Sequence, residues 1–597
     1  MRGFKGSNPF TPGTFQHMYA NNLINLKNLN IIPELFLSVC ILLLLLYGIF
    51  LSTKKQYLLI HKSTLNLGIL ILIFVLTLLL NDPTYVIEIT NFNNTIINDS
   101  LSYFSKLFII TFSIFCLVII NQYLTLQKVN NFEYTLLYLF AILGLFLLCS
   151  SNDLITAYLA IELQSLSFYV MSAFKKNSNY SIDAGLKYFV LGSFSSGLFL
   201  FGASLIYGFT GSTNFEDFKD LFFWILPGNI VLLNDLDRFL QLNKTTEIHS
   251  AFVLRISSNE AYTVSEVETQ FILDFDEYVY TLEDLCLIFD LKDRYVPKTF
   301  QELYVFDIVS EVILLQFALI FIIASLFFKL ALAPFHIWLP DVYEGSLTSS
   351  TFFFAIIPKL GLFTLLIRIT YYCFFGFFDY FQYFIVLVAL LSIIIGSFTA
   401  VEQRKMKSLF AYSSIGHMGY SLIAYNSGTF EGIQMLLLYL VVYMLAGAFI
   451  WSIFLLTRLK YKFKNKTNKD LTEFASLFKS NNVLAIILSF VLLSLAGFPP
   501  LIGFLAKTSV FLVAMESSMY LISLIAILCS VISTFYYIRI IKTIFFENKL
   551  TGNLFYSYDN QKAFLIVLCF YLFLFLFINP TFLYLITYKI SLLLSLS

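Results

Sequence analysis

Four ionisable side chains lie inside strongly apolar stretches. Glu162 is central in Tyr158-Leu-Ala-Ile-Glu-Leu-Gln-Ser-Leu-Ser167, and Lys329 follows Ser325-Leu-Phe-Phe328. Lys359 lies in Ile356-Ile-Pro-Lys-Leu-Gly-Leu362, and Lys507 ends Pro499-Pro-Leu-Ile-Gly-Phe-Leu-Ala-Lys507. A charge at the centre of a membrane-spanning helix costs ~2.5–3.5 kcal/mol on insertion scales, so such residues face protein or water. One lysine alone can snorkel to an interface; three lysines and a carboxylate together are poorly explained that way. A desolvated amine is a poor host for charge, and a nearby carboxylate makes it a better one. At an effective dielectric of ~20, opposite unit charges ~8 Å apart attract by about 2 kcal/mol, enough to load or release a proton as the pair closes or opens. The chemistry within reach of this set is proton transfer.

Prolines mark the same places. Pro334 follows Lys329 by five residues, and Pro499 and Pro500 precede Lys507 by eight and seven. Proline breaks the helical hydrogen-bond ladder, and in lipid such a break is tolerated only inside protein or beside water. Lysine-then-proline in one half and proline-then-lysine in the other suits an inverted repeat around a mid-membrane ion path.

The elements that hold these residues follow from hydropathy. The 597 residues are 59% hydrophobic and 12% charged, with mean hydropathy +0.82. Stretches of ~20 apolar residues span a bilayer as helices. Fourteen are expected: 31–51, 61–80, 106–124, 134–150, 154–174, 185–210, 308–332, 348–371, 380–401, 408–426, 432–459, 482–514, 519–545 and 562–588. Connections on one side carry Lys54, Lys55, Lys62, Lys128, Lys175, Lys176, Arg404, Lys405, Lys407, the run from Arg458 to Lys466, and Lys549. Opposite connections carry Asp82, Glu88, Asp99, Asp153, Asp379, Glu431 and Glu516. That is the positive-inside pattern, and it puts both termini on the outer side. The expected fold is all-α, with about 14 transmembrane helices and spans 7 and 12 discontinuous; the resemblance described below implies two inverted five-helix repeats.

The chain divides into a lead-in at 1–30, spans 1–6 at 31–212, a polar insertion between spans 6 and 7 at 213–307, and spans 7–14 at 308–597. The lead-in has Arg2, Lys5 and Lys27 and no acid; it reads as a polar approach to the first helix, with a transit peptide as the alternative. The insertion holds eighteen acids and seven bases, a net charge of −11, and period-two pieces such as Ala251-Phe-Val-Leu-Arg-Ile256. It is expected outside the membrane on the outer face, where it contacts partners or is simply a tolerated loop. The formal charge of zero provides no basic surface for nucleic acid. Seven scattered cysteines form no C-x-x-C pair, which argues against iron–sulfur or zinc sites. Dinucleotide and phosphate-loop glycine motifs are also missing from the sequence.

Three longer motifs make the chain recognisable. Lys329-Leu-Ala-Leu-Ala-Pro-Phe-His-Ile-Trp-Leu-Pro-Asp-Val-Tyr-Glu-Gly345 resembles a hallmark of the antiporter-like family shared by respiratory complex I (NADH:ubiquinone oxidoreductase) and multisubunit cation/proton antiporters. Lys407-Ser-Leu-Phe-Ala-Tyr-Ser-Ser-Ile-Gly-His-Met-Gly-Tyr420 and Ser181-Ile-Asp-Ala-Gly-Leu-Lys-Tyr-Phe-Val-Leu-Gly-Ser193 are similar to two more. The Asp341-Val-Tyr-Glu-Gly345 ending and Lys359 resemble the subunit 2 branch. The resemblance spans roughly 31–588 apart from the acidic insertion.

The resemblance implies roles. Glu162 would modulate Lys329, the protonatable lysine of a first half-channel. Lys359 would connect the halves, and Lys507 would serve the exit. His336 would assist proton entry, with a satisfied helix-end histidine as the alternative. His417, expected near an inner helix end, reads as structural. The chain would hold no redox cofactor; NADH, FMN, iron–sulfur clusters and ubiquinone would belong to partner subunits. Partners would be other membrane-arm subunits including neighbouring antiporter-like ones, accessory subunits on 213–307, and lipids. The resemblance and the high counts of Phe (69) and Tyr (37) suggest a mitochondrial inner-membrane protein, with termini and insertion facing the intermembrane space and a bacterial plasma membrane as the alternative. Competing functions are a sodium/proton antiporter subunit and a non-pumping structural subunit of the membrane arm.

Overall fold

The computed structural model describes residues 31–52, 60–81, 89–127, 131–222, 303–457, 470–475, 477–547 and 560–596. The lead-in, most of the acidic insertion (223–302), and the connections holding Lys54, Lys55, Asp82, Glu88, Lys128, Arg458–Lys466 and Lys549 lie outside them. The chain forms one body from residues 1–226 and 315–597 and a second unit from 227–314. Of the second unit, only the opening turns of one helix are described. All that follows concerns the first body.

Each of the fourteen apolar stretches is helical. The N-terminal half contains α1 (Ile32–Ser52), α2 (Ile60–Leu80), α3 (Ser100–Leu126), α4 (Glu133–Ser150), α5 (Leu154–Ser172) and α6 (Asn179–Thr210), then a short α7 (Phe215–Phe222). After the insertion come α8 (Leu303–Leu330), the short α9 (Trp338–Gly345), α10 (Thr348–Ile367), α11 (Phe378–Glu402), α12 (Met406–Tyr425) and α13 (Phe430–Leu456). The chain continues through α14 (Asn482–Ala496), α15 (Ile502–Glu516), α16 (Tyr520–Phe545), α17 (Asn560–Ile578) and α18 (Thr581–Leu596). Eleven described helices are by themselves long and apolar enough to cross a membrane. The last stretch departs from the expected single rod: it stops at Asn579-Pro580, where proline disfavours helix in the residue before it and supplies no amide to the ladder.

Burial ranks the helices. Every residue of α10 is buried, and α13 is mostly buried, while α1, α2, α6, α11 and α16 turn broad apolar faces outward. The body is therefore built around α10 and α13, the helices that carry Lys359 and Tyr443. In lipid no hydrophobic force draws helices together, so close fit and small residues do that work. The α11–α12 crossing shows it: a Cβ on Gly396 would lie 2.6 Å from the Gly416 amide nitrogen, and one on Gly419 2.3 Å from Ser392 Oγ.

One small β element is present among the described residues. β1 (Ile89–Asn91) and β2 (Ile96–Asn98) pair antiparallel, Thr90 opposite Ile97. Phe92, Asn93 and Asn94 turn between them at positive φ, a conformation asparagine tolerates better than most residues. The strand runs into Asp99, whose carboxylate accepts from the Ser102 amide at 2.9 Å and caps α3. At the start of the acidic segment, α7 folds onto the body: the rings of Phe218 and Phe222 pack at a tilt against Phe374 at 5.3 and 5.4 Å.

The α11–α12 contact is backbone against backbone, so no rotamer change can accommodate a methyl there. Gly396→Ala is expected to destabilise the protein by about 1–3 kcal/mol, while Gly197→Ala, with nothing within 4 Å of its Cβ, is expected to leave stability unchanged or raise it slightly, since alanine is the better helix former. Thermal unfolding of the purified complex carrying each variant checks this.

Candidate functional site

The break after α8 exposes backbone acceptors and donors, and the local sequence satisfies them. Ala331 takes a positive φ of 58°, and Trp338 Nε1 donates to the Phe328 carbonyl at 2.9 Å. The Trp338 ring stacks on Tyr188 at 4.4 Å, which fixes α9 against α6. Two ion pairs hold α9 from either side, Lys187 on α6 to Asp341 and Lys405 before α12 to Glu344. Lys407 Nζ donates to the Ser346 carbonyl just past α9 at 2.7 Å.

Lys329 lies in the last turn of α8, where the carbonyl end of the helix dipole favours a cation. Its amine donates to the Tyr169 hydroxyl at 3.1 Å. Glu162, one and a half to two turns before Tyr169 on α5, is within electrostatic reach of Lys329. One of its oxygens is 3.5 Å from Ser165 Oγ, and the other is shielded with no protein hydrogen-bond partner. Lys329 and Lys359 line one cavity of about 30 Å³ together with Gln164, Ser165 and Tyr343. A cavity needs roughly 10–15 Å³ to hold a water, so this one takes one or two.

Lys359 is 5% exposed, and its amine donates to the Tyr443 hydroxyl on α13 at 2.7 Å. That hydroxyl is 3.5 Å from the Ala355 carbonyl, to which it donates. Tyr443 in turn lines a second cavity, of about 10 Å³, with His417, Tyr439, Ser494 and Lys507. This is near the lower limit for a single water. His417 bridges two hydroxyls, Nδ1 at 2.7 Å from Tyr439 and Nε2 at 3.0 Å from Tyr537.

Lys507 reaches across the break between α14 and α15. Its amine donates to the carbonyl of Ala496, the last residue of α14, at 2.9 Å. Gly497 makes that possible. It ends α14 at φ +90°, and a Cβ there would lie 3.0 Å from Lys507 Cδ. Glycine is the residue that adopts this conformation without strain.

The structure thus brings Lys329 and Lys359 to one cavity, Glu162 to its margin, and Lys507 to the adjoining cavity. His336 is not part of this axis: it is half-buried in the α8–α9 break, its ring 6.5 Å from Tyr412, and lines neither cavity. His417 is not near a helix end but mid-way along α12, at the junction of the Tyr443 and Lys507 environments. Its motif position was visible in sequence; the three tyrosines around it, from two other helices, were not.

Sequence reasoning also passed over three buried charges and read a fourth, Asp99, only as a connection charge. Glu34 and Lys106 pair at 2.6 Å, and Lys106 also donates to Asn98 Oδ1 at 2.7 Å. Arg368 pairs with Asp99 at 2.8 Å and donates to the Ser151 carbonyl at 3.3 Å. These pairs tie α1, α3, α4 and α10 together at the end where the β-hairpin lies. Arg368 is an ionisable residue within an expected span, so the insertion-cost criterion that singled out the lysines applied to it as well. Removing one partner of a buried pair costs about 3–5 kcal/mol because the other charge is stranded. Arg368→Met is therefore expected to lower the yield and melting temperature of the assembled complex sharply, and Asp99→Asn added to it to restore most of the loss.

The comparisons agree with this architecture. Residues 151–254 and 287–533 match the family described as NADH:quinone oxidoreductase/Mrp antiporter, TM; the match enters both ends of the acidic segment and passes over 255–286. The chain is 34% identical over 567 residues to NADH-ubiquinone oxidoreductase chain 2 of Marchantia polymorpha, covering 94% of this chain and 98% of that protein. It is 33% identical over 525 residues to NADH-quinone oxidoreductase subunit N of Pelagibacter ubique (strain HTCC1062), covering 88% and 91%. Its fold resembles a chain of respiratory complex I from Thermus thermophilus with bound aureothin (TM-score 0.65, 23% identity, 92% and 98% covered). It also resembles a chain of the Mrp complex from Dietzia sp. DQ12-45-1b (TM-score 0.68, 16% identity, 94% and 96% covered).

Proposed function

The chain belongs to the NADH:quinone oxidoreductase/Mrp antiporter transmembrane family, and we propose that it is the chain 2 (subunit N) type of antiporter-like membrane subunit in a respiratory NADH:quinone oxidoreductase, carrying protons along the buried amine axis. One observation supports this above the rest. Lys359 shares a cavity with Lys329 on one side, and on the other it is hydrogen-bonded to a tyrosine that shares a cavity with Lys507.

Each amine has neutral partners that both stabilise the cation and let it go. A proton loaded on Lys329 is held there while Glu162 is ionised and near. When that carboxylate moves away or is neutralised, Lys329 becomes the weaker host, and water in the shared cavity passes the proton to Lys359. Tyr443 accepts from Lys359 and donates to a backbone carbonyl, so a hydroxyl flip hands a proton towards His417. The imidazole, with two ring nitrogens on opposite hydroxyls, takes a proton at one and releases another from the other. Lys507 receives it on the far side of the second break. We read the two broken spans as the equivalent positions of two inverted repeats, each placing a lysine at the carbonyl end of a half-helix.

The redox reaction that drives this is assigned to partner subunits, with NADH, FMN, iron–sulfur clusters and ubiquinone held there. The apolar outer faces suit lipid and neighbouring membrane-arm subunits, and the 213–307 segment suits accessory subunits. The resemblance to mitochondrial chain 2 proteins of plants supports a mitochondrial inner-membrane location, with the basic end towards the matrix. A sodium path is less well served, because hard cations want oxygen ligands and this axis is lined by amines that repel them.

In the assembled enzyme, Lys359→Met and Lys507→Ala are expected to lower protons translocated per electron, with the complex still assembled and still oxidising NADH with an artificial electron acceptor. An unchanged proton-to-electron ratio in both variants overturns the relay and favours a structural subunit. Sodium counter-transport by the purified complex without redox turnover favours the antiporter instead.

A further inference from the structure

His417 has a second water-sized neighbourhood that the relay above does not use. A cavity of about 10 Å³ lies on another side of its ring, lined by Ile393, Ser397, Ser413, Tyr420, Ser533 and Tyr536 from α11, α12 and α16. Its lining is unusually polar for a helix crossing in lipid. The serine hydroxyls donate to carbonyls of their own helices: Ser397 to Ile394, Ser413 to Phe410 and Ser533 to Ser530. Their oxygen lone pairs are left as acceptors for a water. The link to the imidazole is in place: His417 itself borders this cavity, and its Nε2 is 3.0 Å from the hydroxyl of Tyr537, whose ring packs against that of Tyr536 at 4.4 Å.

The cavity also lies close to one end of the bundle. Ser397 is four residues before Val401 and Tyr536 three before Arg539, so one helical turn separates the cavity from that level. There Arg539 donates to the Val401 and Gln403 carbonyls at 2.6 and 2.9 Å, capping the end of α11. Glu402, Arg404 and Lys405 beside this cap are exposed. This is the basic end, which the charge rule places on the inner side.

We propose that the C-terminal half has its own inner-side proton inlet, running from the Arg539–Gln403 rim through water among Ser397, Ser413 and Ser533 to Tyr537 and His417. The inlet rests on the relay reading, because it feeds the same imidazole. It means that Lys507 draws protons from the inner compartment directly as well as from Lys359. The small residues at the α11–α12 crossing then have a second use: they bring the backbones close while leaving the serine-lined gap beside them.

The test uses the assembled enzyme in oriented vesicles, with Ser533→Leu to fill the cavity, Ser533→Ala as its small control, and Tyr537→Phe to cut the link to His417. Ser533→Leu and Tyr537→Phe are expected to slow proton translocation most when the inner-side pH is high and protons there are scarce. Ser533→Ala, which removes one acceptor for the water but leaves the gap open, is expected to show a weaker form of the Ser533→Leu effect, and outer-side pH to make no difference. A high-resolution map of the parent complex is expected to show water within hydrogen-bonding distance of Ser413 and Tyr536. A dry cavity, or the parent's inner-pH dependence in both Ser533→Leu and Tyr537→Phe while Lys507→Ala still lowers the proton-to-electron ratio, overturns the inlet and leaves the relay standing. Parent-like ratios in Lys507→Ala and Lys359→Met overturn both. A loss in Ser533→Leu equal at every inner-side pH is a packing defect and counts against the inlet.

Discussion

Hydrocarbon offers no hydrogen-bond partner, so every amine placed within it must find one in the protein, and the choice of partner decides what the amine can do. Along the α10–α13 axis the partners are neutral. Lys329 donates to a tyrosine, Lys359 to a tyrosine and Lys507 to a main-chain carbonyl. Near the β-hairpin the partners are carboxylates, in Glu34–Lys106 and Asp99–Arg368. A full ion pair in a dry site holds its charges in place, because losing one strands the other. A dipole stabilises a cation without needing it. The body therefore separates fixed charge, which fastens helices, from movable charge, which can be handed on.

The breaks in the two long spans belong to the same constraint. An uninterrupted helix has no spare carbonyl to offer an amine. Stopping α14 at Gly497 frees the Ala496 carbonyl for Lys507, and stopping α8 leaves the last-turn carbonyls beside Lys329. The cost is exposed backbone, met locally by Trp338 on the Phe328 carbonyl and by the close fit of α15 on α14, where a Cβ on Gly503 would lie 1.9 Å from the Ser494 carbonyl oxygen. The ionic contacts of Asp341 and Glu344 fix the position of α9, on which the cavity shared by Lys329 and Lys359 depends.

The parts of this arrangement visible in the sequence were those with a large energetic signature. Apolar runs of twenty residues mark the helices, and Glu162, Lys329, Lys359 and Lys507 stand out because each is costly in lipid. Tyr443, Tyr439 and Tyr537 do not, being three among 37 tyrosines that hydrophobic helices accept readily. Their role comes from convergence of α13 and α16 on His417, which depends on helix rotation and crossing rather than on any local pattern. Arg368 was legible and missed; lying near a span end, it resembles a snorkelling residue until Asp99 appears beside it. The break at Asn579-Pro580 also had its signal in the proline, but the hydropathy on either side reads as one continuous span.

On the proposed relay, proximity of like charges would give the axis its order of events. His417 is within electrostatic reach of both Lys359 and Lys507. Two unit charges ~10 Å apart at an effective dielectric of ~20 repel by about 1.7 kcal/mol, more than a tenfold change in occupancy. On the proposed relay, a charge on either lysine would therefore oppose one on the imidazole between them. In that relay, emptying Lys507 would make room for a charge on His417, which would draw the proton from Lys359 and in turn make Lys359 available to Lys329. The amines would act in sequence because each would respond to the charge of the group next to it. In the first half Glu162, the one carboxylate within reach of Lys329 among the described groups, would set this response, which would leave the proposed step at Lys329 the one most open to control from outside the axis.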